Sequence, residues 1–279
     1  MNARISTALA AAAIGLAALA LPSSSQAANV GYYEMCTGTG GVGHAGAITA
    51  AGHTPVNVAV PDAVTLNALD ALFVTNCSNG GYGSEYLANL GAIDNAVQTQ
   101  GLVLVVHDRY VSGASAILSG VIGVRNFVNG GNIDLPAGSP LLSGPGGTLD
   151  NGSLDGRGSS NHGYVVAATL PAGGAVLANN GVIDQAVTLV YPRGTGKVVY
   201  STIPLDLWVQ SEAEFRDIYT PNLLAWAVPN FTSCADEGFT GSKLTLCRQV
   251  CEIDQTPTRL TSLIKLYMIA YRSEPPCGR

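Results

Sequence analysis

Short apolar runs that end in polar residues recur along this chain, and the clearest is GLVLVVHDRY, over residues 101–110. Five consecutive apolar residues there lead directly into three ionisable ones. Such an unbroken run, rich in β-branched valine, indicates a parallel strand that is covered on both faces. Ligands of open α/β sheets bind just beyond the carboxyl ends of such strands. We therefore expect a site at His107, Asp108 and Arg109.

Similar runs predict strands that alternate with helices. The predicted strands cover residues 30–35, 56–60, 70–76, 102–107, 164–170, 187–191 and 198–203, and the predicted helices cover residues 45–51, 86–98, 243–253 and 258–271. Strands that alternate with helices imply parallel βαβ crossovers. The prediction is an α/β fold with a flavodoxin-like layout, in which a mostly parallel sheet carries helices on both faces.

One further helix is predicted near the end of this α/β region. Ser211 and Glu214 have the spacing of a capping box, so the helix should begin at Ser211, be interrupted near Pro221 and end near Val228. Residues 229–233 are then a plausible linker.

A long polar segment separates the two halves of the α/β region. Residues 129–163 are rich in Gly, Asn, Ser and Asp, and a loop of this length in a compact domain is usually functional or disordered. We expect it to lie over the site. Its Asp150 and Asp155 lack the spacing of an EF-hand, and a polar loop explains them equally well, so no metal site is predicted.

The N-terminal residues predict export. Residues 1–27 combine Arg4, an apolar stretch and the small-x-small sequence Ser25-Gln26-Ala27, which is typical of a cleaved signal peptide. No later stretch approaches the roughly 20 apolar residues of a membrane span. We expect a secreted or periplasmic protein with an α/β domain over residues 28–229 and a Cys-rich helical module over residues 234–279.

The charge balance argues against one class of partner. Charged residues make up 11% of the chain, and its formal net charge is −6. Residues 28–230 hold 6 Lys and Arg against 14 Asp and Glu. This balance repels phosphate backbones, so no nucleic-acid partner is predicted.

Six cysteines in an exported chain predict disulfides. Cys36 and Cys77 each follow a strand, and a flavodoxin-like order makes these two strands neighbours, so a bond between them is expected. The other four form two bonds within the module. A helical hairpin favours Cys247 with Cys277 and Cys234 with Cys251, although the sequence leaves all three pairings open.

A glycine-rich motif offers one cofactor interpretation. Residues 38–43 match GxGxxG between a strand and a helix, with Asp62 near the end of the next strand. However, Cys36 and Thr37 intrude between the strand and the first glycine. A flexible turn explains the motif better than dinucleotide binding, and no cofactor is predicted.

Several short motifs together resemble the class I glutamine amidotransferase-like superfamily, and most closely its trehalose-utilisation (ThuA-like) branch. They are Gly43-His44, Asp70-Ala71-Leu72-Phe73-Val74, Val105-Val106-His107, Ser139-Pro140-Leu141-Leu142-Ser143-Gly144, the glycine-lysine strand entry at residues 194–200, and Leu223-Leu224-Ala225-Trp226. The resemblance covers about three quarters of the mature chain and implies the same α/β fold.

The chain departs from this superfamily where catalysis would occur. Glutamine amidotransferases carry a cysteine nucleophile after the fourth strand, where this chain has residues 106–109. Their catalytic histidine follows a late strand, where this chain reads Thr202-Ile203-Pro204-Leu205-Asp206. Acyl-enzyme chemistry requires a nucleophile and its base, so amidotransferase activity is not expected.

The candidate site gathers polar residues around the carboxyl edge of the sheet. His44 and His107 match the pattern of the trehalose-utilisation branch, although His44 could equally cap a helix and His107 could bond a neighbouring loop. The predicted catalytic residues are His107 and Asp108, and the predicted ligand-binding residues are His44, Asn76, Asn161 and His162. The histidines have no spacing diagnostic of a metal site.

Three functions remain open at this level. The first is binding of a small polar or carbohydrate ligand above the sheet. The second is a hydrolase in which His107 acts as general base and Asp108 or His44 orients it. The third is a structural role in which residues 234–279 attach the protein to the cell surface or to another protein.

Overall fold

The computed structural model describes residues 27–36, 43–120, 122–228, 234, 239–251 and 257–271. The expected signal peptide, most of the GxGxxG motif, the expected linker and Cys277 lie outside these residues. The strands are β1 (Asn29–Glu34), β2 (Thr54–Asn57), β3 (Ala71–Thr75), β4 (Val103–His107), β5 (Arg125–Gly130), β6 (Ser143–Gly144), β7 (Gly147–Thr148), β8 (Asn161–Val166), β9 (Ala175–Asn179), β10 (Gln185–Arg193) and β11 (Gly196–Ser201).

Seven α-helices accompany these strands in the described part of the chain. They are α1 (His44–Ala50), α2 (Ala63–Leu66), α3 (Ser84–Gln100), α4 (Leu205–Ser211), α5 (Thr220–Ala227), α6 (Gly241–Cys251) and α7 (Pro257–Tyr271). Two short 3₁₀ helices cover Val111–Ala116 and Ala167–Thr169, and a π-helical turn covers Glu214–Tyr219.

One nine-stranded sheet forms the centre of the fold. Its order is β2-β1-β3-β4-β11-β10-β8-β5, and β9 pairs with β10 beside this path. The first five strands of the order pair in parallel, whereas β10 is antiparallel to its neighbours. The order 2-1-3-4 followed by a fifth parallel strand is the flavodoxin-like order, so the predicted fold class is confirmed.

Two apolar layers cover the sheet. β3 and β4 are buried along their whole length, because side chains of successive residues point to opposite covered faces. Phe73 and Val105 belong to the layer beneath α1 and α5, which we call face one. Leu72 and Leu104 belong to the layer beneath α3, which we call face two.

The long polar segment folds onto face one. Leu141, Leu149 and Leu154 of this segment are buried in the core of that face. Asn222 on α5 donates hydrogen bonds to the carbonyl oxygens of Leu141 and Gly147, both at 3.1 Å. The segment therefore packs into the core through its leucines, although its composition is that of a loop.

The helix predicted to begin at Ser211 begins elsewhere. Ser211 ends α4, and its hydroxyl donates to the carbonyl of Leu207, one turn back, at 3.2 Å. Glu214 accepts a hydrogen bond from Arg157 instead of closing a capping box. The capping-box prediction is wrong because the chain already turns into a helix after Pro204, and the π-helical turn then carries it into α5.

The C-terminal module contains two helices, close to the predicted ones. Its buried cluster comprises Cys234, Cys247, Val250, Cys251 and Tyr267. The structure bonds Cys234 to Cys247, whereas the favoured pairing had joined Cys234 to Cys251, so that pairing is wrong. Cysteines four apart on one helix face are both within reach of Cys234, and hairpin closure could not choose between them. Cys251 is itself disulfide-bonded.

No helix among the described residues is long and apolar enough to cross a membrane.

Candidate functional site

A cavity of about 650 Å³ opens at the carboxyl ends of β1 and β3. Tyr33, Met35 and Cys36 line it from the β1 side, and residues 76–85 contribute most of the rest. After β1 the chain moves outward to β2, and it then returns across β1 to form β3. The gap between β1 and β3 is therefore the topological switch point, where sheets of this class bind their ligands. We call this space the switch-point cavity.

A disulfide spans the two strands that form the cavity. The structure bonds Cys36 to Cys77, as predicted from the strand order, with their Cα atoms 6.0 Å apart. The loop that follows is glycine-rich, and a Cβ at position 83 would collide with the carbonyl oxygen of Met35. Only glycine therefore allows the loop to approach the end of β1 so closely.

Asp108 lies behind the cavity, fully buried on face two. Its Oδ1 accepts hydrogen bonds from Asn76 Nδ2 at 2.9 Å and from the backbone N–H of Tyr110 at 2.7 Å. Its Oδ2 lies 3.0 Å from the hydroxyls of both Tyr82 and Tyr200. Asn76 and Tyr82 also line the cavity, so Asp108 fixes two residues of its wall.

The protonation of Asp108 reflects two opposing effects. Burial raises the pKa of the Asp108 carboxyl, whereas hydrogen bonds from Asn76, Tyr110, Tyr200 and Tyr82 favour its ionised form. The net shift of the pKa is upward. Tyr82 has one hydroxyl proton, yet its oxygen also lies 2.7 Å from the carbonyl of Tyr110. A proton on Asp108 Oδ2 would satisfy both contacts.

His107 lies on the opposite face of the sheet from Asp108. Its Nε2 is 3.1 Å from the hydroxyl oxygen of Tyr219, at the end of the π-helical turn. That hydroxyl also lies 3.3 Å from Thr188 Oγ1 and 3.4 Å from Ser201 Oγ. Adjacent residues of a strand point to opposite faces, so Asp108 is not placed to orient the His107 ring.

The two histidines predicted at the carboxyl edge of the sheet, His44 and His107, both pack against the ring of one phenylalanine. The rings of His44 and His107 lie 5.1 and 5.6 Å from the ring of Phe73, each edge-on. Burial and the nearby His44 lower the pKa of His107 to about 3. Both histidines are 1% exposed, and neither lines the switch-point cavity.

An ion pair occupies the edge of the sheet between these two regions. Arg109 Nε donates to Asp206 Oδ1 at 2.9 Å. Burial and the charge of Asp206 raise the pKa of Glu34 at the end of β1, while Arg109 lowers it. Burial likewise raises the pKa of Asp206 against the effect of Arg109. The Arg109–Asp206 pair ties the start of α4 to the end of β4, and Glu34 adds a second negative charge nearby.

The remaining predicted residues lie near β8. Asn161 donates to the carbonyl of Asn132 at 2.8 Å and accepts from the N–H of Gly163 at 3.2 Å, so it holds the long segment in place. His162 packs edge-on against Phe127 at 6.0 Å. Burial lowers the pKa of His162, and the charge of Arg109 lowers it further.

The residues predicted to form one site therefore lie in several separate parts of the structure. Asn76 and Asp108 belong to the switch-point cavity or its wall, whereas the other predicted residues lie elsewhere. Sequence reasoning missed Tyr33, Tyr82 and Glu85 in the cavity lining. The sequence contains only a weak indication of these three residues. Tyr82 lies between Gly81 and Gly83, and glycines allow a loop to lie close to another backbone.

A metal site is not evident within the part of the chain that the structure describes. Cys234, Cys247 and Cys251 form the one group with ligand-like spacing there, with sulfurs within 4.8 Å of one another. All three are disulfide-bonded, so they cannot bind a metal as thiolates.

Comparison with known proteins gives a weak structural likeness. A putative GMP synthase component from Thermoplasma acidophilum matches with a TM-score of 0.45 and 12% identity, over 71% of this chain and 93% of that chain. No protein-family model matches the sequence, and no curated protein does.

Two other solved structures match at a similar level. A cytoplasmic protein from Salmonella typhimurium matches with a TM-score of 0.40 and 13% identity, over 60% of this chain and 74% of that chain. A β-galactosidase from Rahnella sp. R3 matches with a TM-score of 0.41 and 13% identity, over 74% of this chain and 32% of that chain. The fold assignment therefore rests on the strand order.

Proposed function

We propose that this chain is an exported protein that binds a small polar ligand, such as a carbohydrate, in the switch-point cavity. The observation that carries the proposal is the position of the cavity between the carboxyl ends of β1 and β3. Sheets with this strand order bind ligands at that point because no helix crosses the gap there. The volume of about 650 Å³ suits a small molecule.

The cavity wall supports a polar ligand without phosphate groups. Tyrosine rings, hydroxyls, an amide and a glycine-rich backbone line it, together with the carboxylate of Glu85. None of the described lining residues is Lys or Arg, so this wall offers no positive charge to hold a phosphate.

Export and a place in the trehalose-utilisation branch belong to the same proposal. The Cys36–Cys77 and Cys234–Cys247 bonds suit an oxidising compartment, as the signal-peptide pattern also does. The place in this branch rests on the short sequence motifs, among them those that contain His44 and His107.

We do not favour the hydrolase alternative. A general base must be within reach of its substrate, and His107 is 1% exposed with its Nε2 beside Tyr219. Amidotransferase chemistry is not proposed either. Arg109 lies near the position where glutamine amidotransferases carry the cysteine nucleophile, and Asp206 lies near the position of their catalytic histidine. In this chain these two residues form an ion pair instead.

Blocking the cavity tests the binding function. Gly81 lines the cavity, and a Cβ there meets no atom within 4 Å, so the side chain of Gly81→Trp should fit and should obstruct the cavity. We expect ligands found by thermal shift in a library of sugars and polyols to lose their stabilising effect in this variant. Gly46→Trp makes the same change on the exposed side of α1 and should bind normally. Equal binding by both variants would move the site elsewhere.

A further inference from the structure

The polar groups of the switch-point cavity divide into those that are already hydrogen-bonded and those that remain available. Both Nδ2 protons of Asn76 are used, one by the carbonyl of Ser78 at 3.0 Å and one by Asp108 at 2.9 Å. The Oδ1 of Asn76 accepts from the N–H of Ser78 at 3.1 Å. Tyr82 likewise spends its single proton within the wall. Asn76 and Tyr82 therefore shape the cavity and contribute few hydrogen bonds to a ligand.

Tyr33 is, together with Ser84, one of the polar side chains that the wall leaves available. It is 2% exposed, and its ring packs against Tyr86 with 6.1 Å between centroids. Within the residues that the structure describes, its hydroxyl makes no hydrogen bond. The hydroxyl oxygen is not one of the enclosed side-chain atoms without a partner, so it remains accessible, and an accessible hydroxyl on a cavity wall can donate to water or to a ligand. Because Tyr33 lines the cavity, its hydroxyl is an available donor there.

Glu85 supplies the charge at the same end of the cavity. It lies in the first turn of α3. Tyr33 and Glu85 line the same cavity, and the ring of Tyr33 packs against Tyr86, the residue that follows Glu85 in α3. Since the described lining holds no Lys or Arg, Glu85 is the one formal charge on it, and its field attracts cations and repels phosphates.

We infer that the ligand carries a basic amino group beside a hydroxyl, as in an amino sugar, with the ammonium donating to Glu85 and the hydroxyl oxygen accepting from Tyr33. This inference rests on the proposed function, and it goes further by naming the chemical class of the ligand.

A matched set of sugars tests the inference in the full mature chain. Calorimetry with glucosamine, glucose and glucose 6-phosphate should rank the amine tightest and the phosphate weakest. At a partly exposed carboxylate we expect the amine to bind about fivefold more tightly than the neutral sugar. Added salt should reduce this preference, because it screens the Glu85 charge.

Variants separate the contribution of charge from that of the hydroxyl. Glu85→Gln should remove the preference for the amine and leave glucose binding nearly unchanged. Tyr33→Phe should weaken binding of both sugars by about tenfold, because it removes a donor common to both. Glu214→Gln makes the same change as Glu85→Gln at an exposed glutamate of the π-helical turn on face one, and should have no effect.

The outcomes separate this inference from the proposed function. If glucose binds and glucosamine binds no more tightly, the inferred amino group is wrong and the proposed binding function stands. The same conclusion follows if Glu85→Gln still binds glucosamine more tightly than glucose. If none of the three sugars binds to the folded protein, both the carbohydrate site and this inference are overturned.

Discussion

His107 and Asp108 are neighbours in sequence and separate in function. Their order on a strand places the imidazole among the aromatic rings of face one and the carboxylate among the tyrosines of face two. The alternation of a strand was readable from the sequence. What the sequence could not show is that the strand geometry continues to Asp108, so that the two residues cannot act on the same ligand atom.

The buried imidazole makes a pH dependence predictable. The pKa of His107 is about 3 in the folded chain, against roughly 6.5 in an unfolded one. The unfolded chain therefore takes up this proton first, and the stability contributed by neutral His107 is complete above about pH 6.5 and is lost as the pH falls toward 3. Within that window the loss should be about 1.4 kcal/mol per pH unit.

Urea unfolding of the wild type and of His107→Gln, between about pH 7 and about pH 4, measures this loss. The free energy of unfolding of the variant should depend less steeply on pH, by the slope that corresponds to about one bound proton. The difference between the two proteins reports His107 together with its electrostatic coupling to His44. If the free energies of unfolding of the two proteins have the same pH dependence, His107 binds protons equally in the folded and unfolded states, which contradicts the prediction.

At the scale of elements, strongly apolar strands were predictable and weakly apolar ones were not. β3 and β4 lie within one residue of their predicted bounds, because unbroken apolar runs mark strands buried on both faces. β5 was missed because four of its six residues are exposed and its amides and glycine suggest a loop. β9 was missed because its alanines and flanking glycines carry little strand preference.

The disulfide between the ends of β1 and β3 should stabilise the domain. The bond joins residues 41 apart, and closing a loop of this length stabilises by about 3 to 4 kcal/mol in the chain-entropy description. Cys36→Ser with Cys77→Ser should reduce the free energy of unfolding of the α/β domain by that amount. It should also weaken ligand binding, since Cys36 lines the cavity.

Chemical unfolding of the mature chain checks this expectation. The matched control is Cys234→Ser with Cys247→Ser, which removes a bond from the C-terminal module. It should leave the unfolding of the α/β domain unchanged. A similar loss in both variants would mean that the first bond has no special role at the switch point.

At the scale of the whole molecule, the buried apolar residues that the structure describes form three clusters, and the third belongs entirely to the C-terminal module. Since each cluster has its own buried side chains, a chain that ends at residue 229 should keep the stability of the α/β domain. Thermal unfolding by circular dichroism should give the same midpoint with and without the module. A decrease of more than about 5 °C would correspond to roughly 2 kcal/mol of lost contacts in a domain of this size and would contradict the two-part organisation.

The π-helical turn at Glu214–Tyr219 has a consequence for how this chain tolerates changes in length. A π-helical turn holds one more residue than an α-helical turn, and here it follows the extended backbone of Glu212, which already separates it from α4. The wider turn absorbs its extra residue, so deleting that residue would restore an α-helical turn and leave the face that α5 presents to the sheet unchanged. Asn222 would keep its hydrogen bonds to the carbonyl oxygens of Leu141 and Gly147. A protein descended from the same ancestor but lacking this extra residue could therefore pack α5 in the same way.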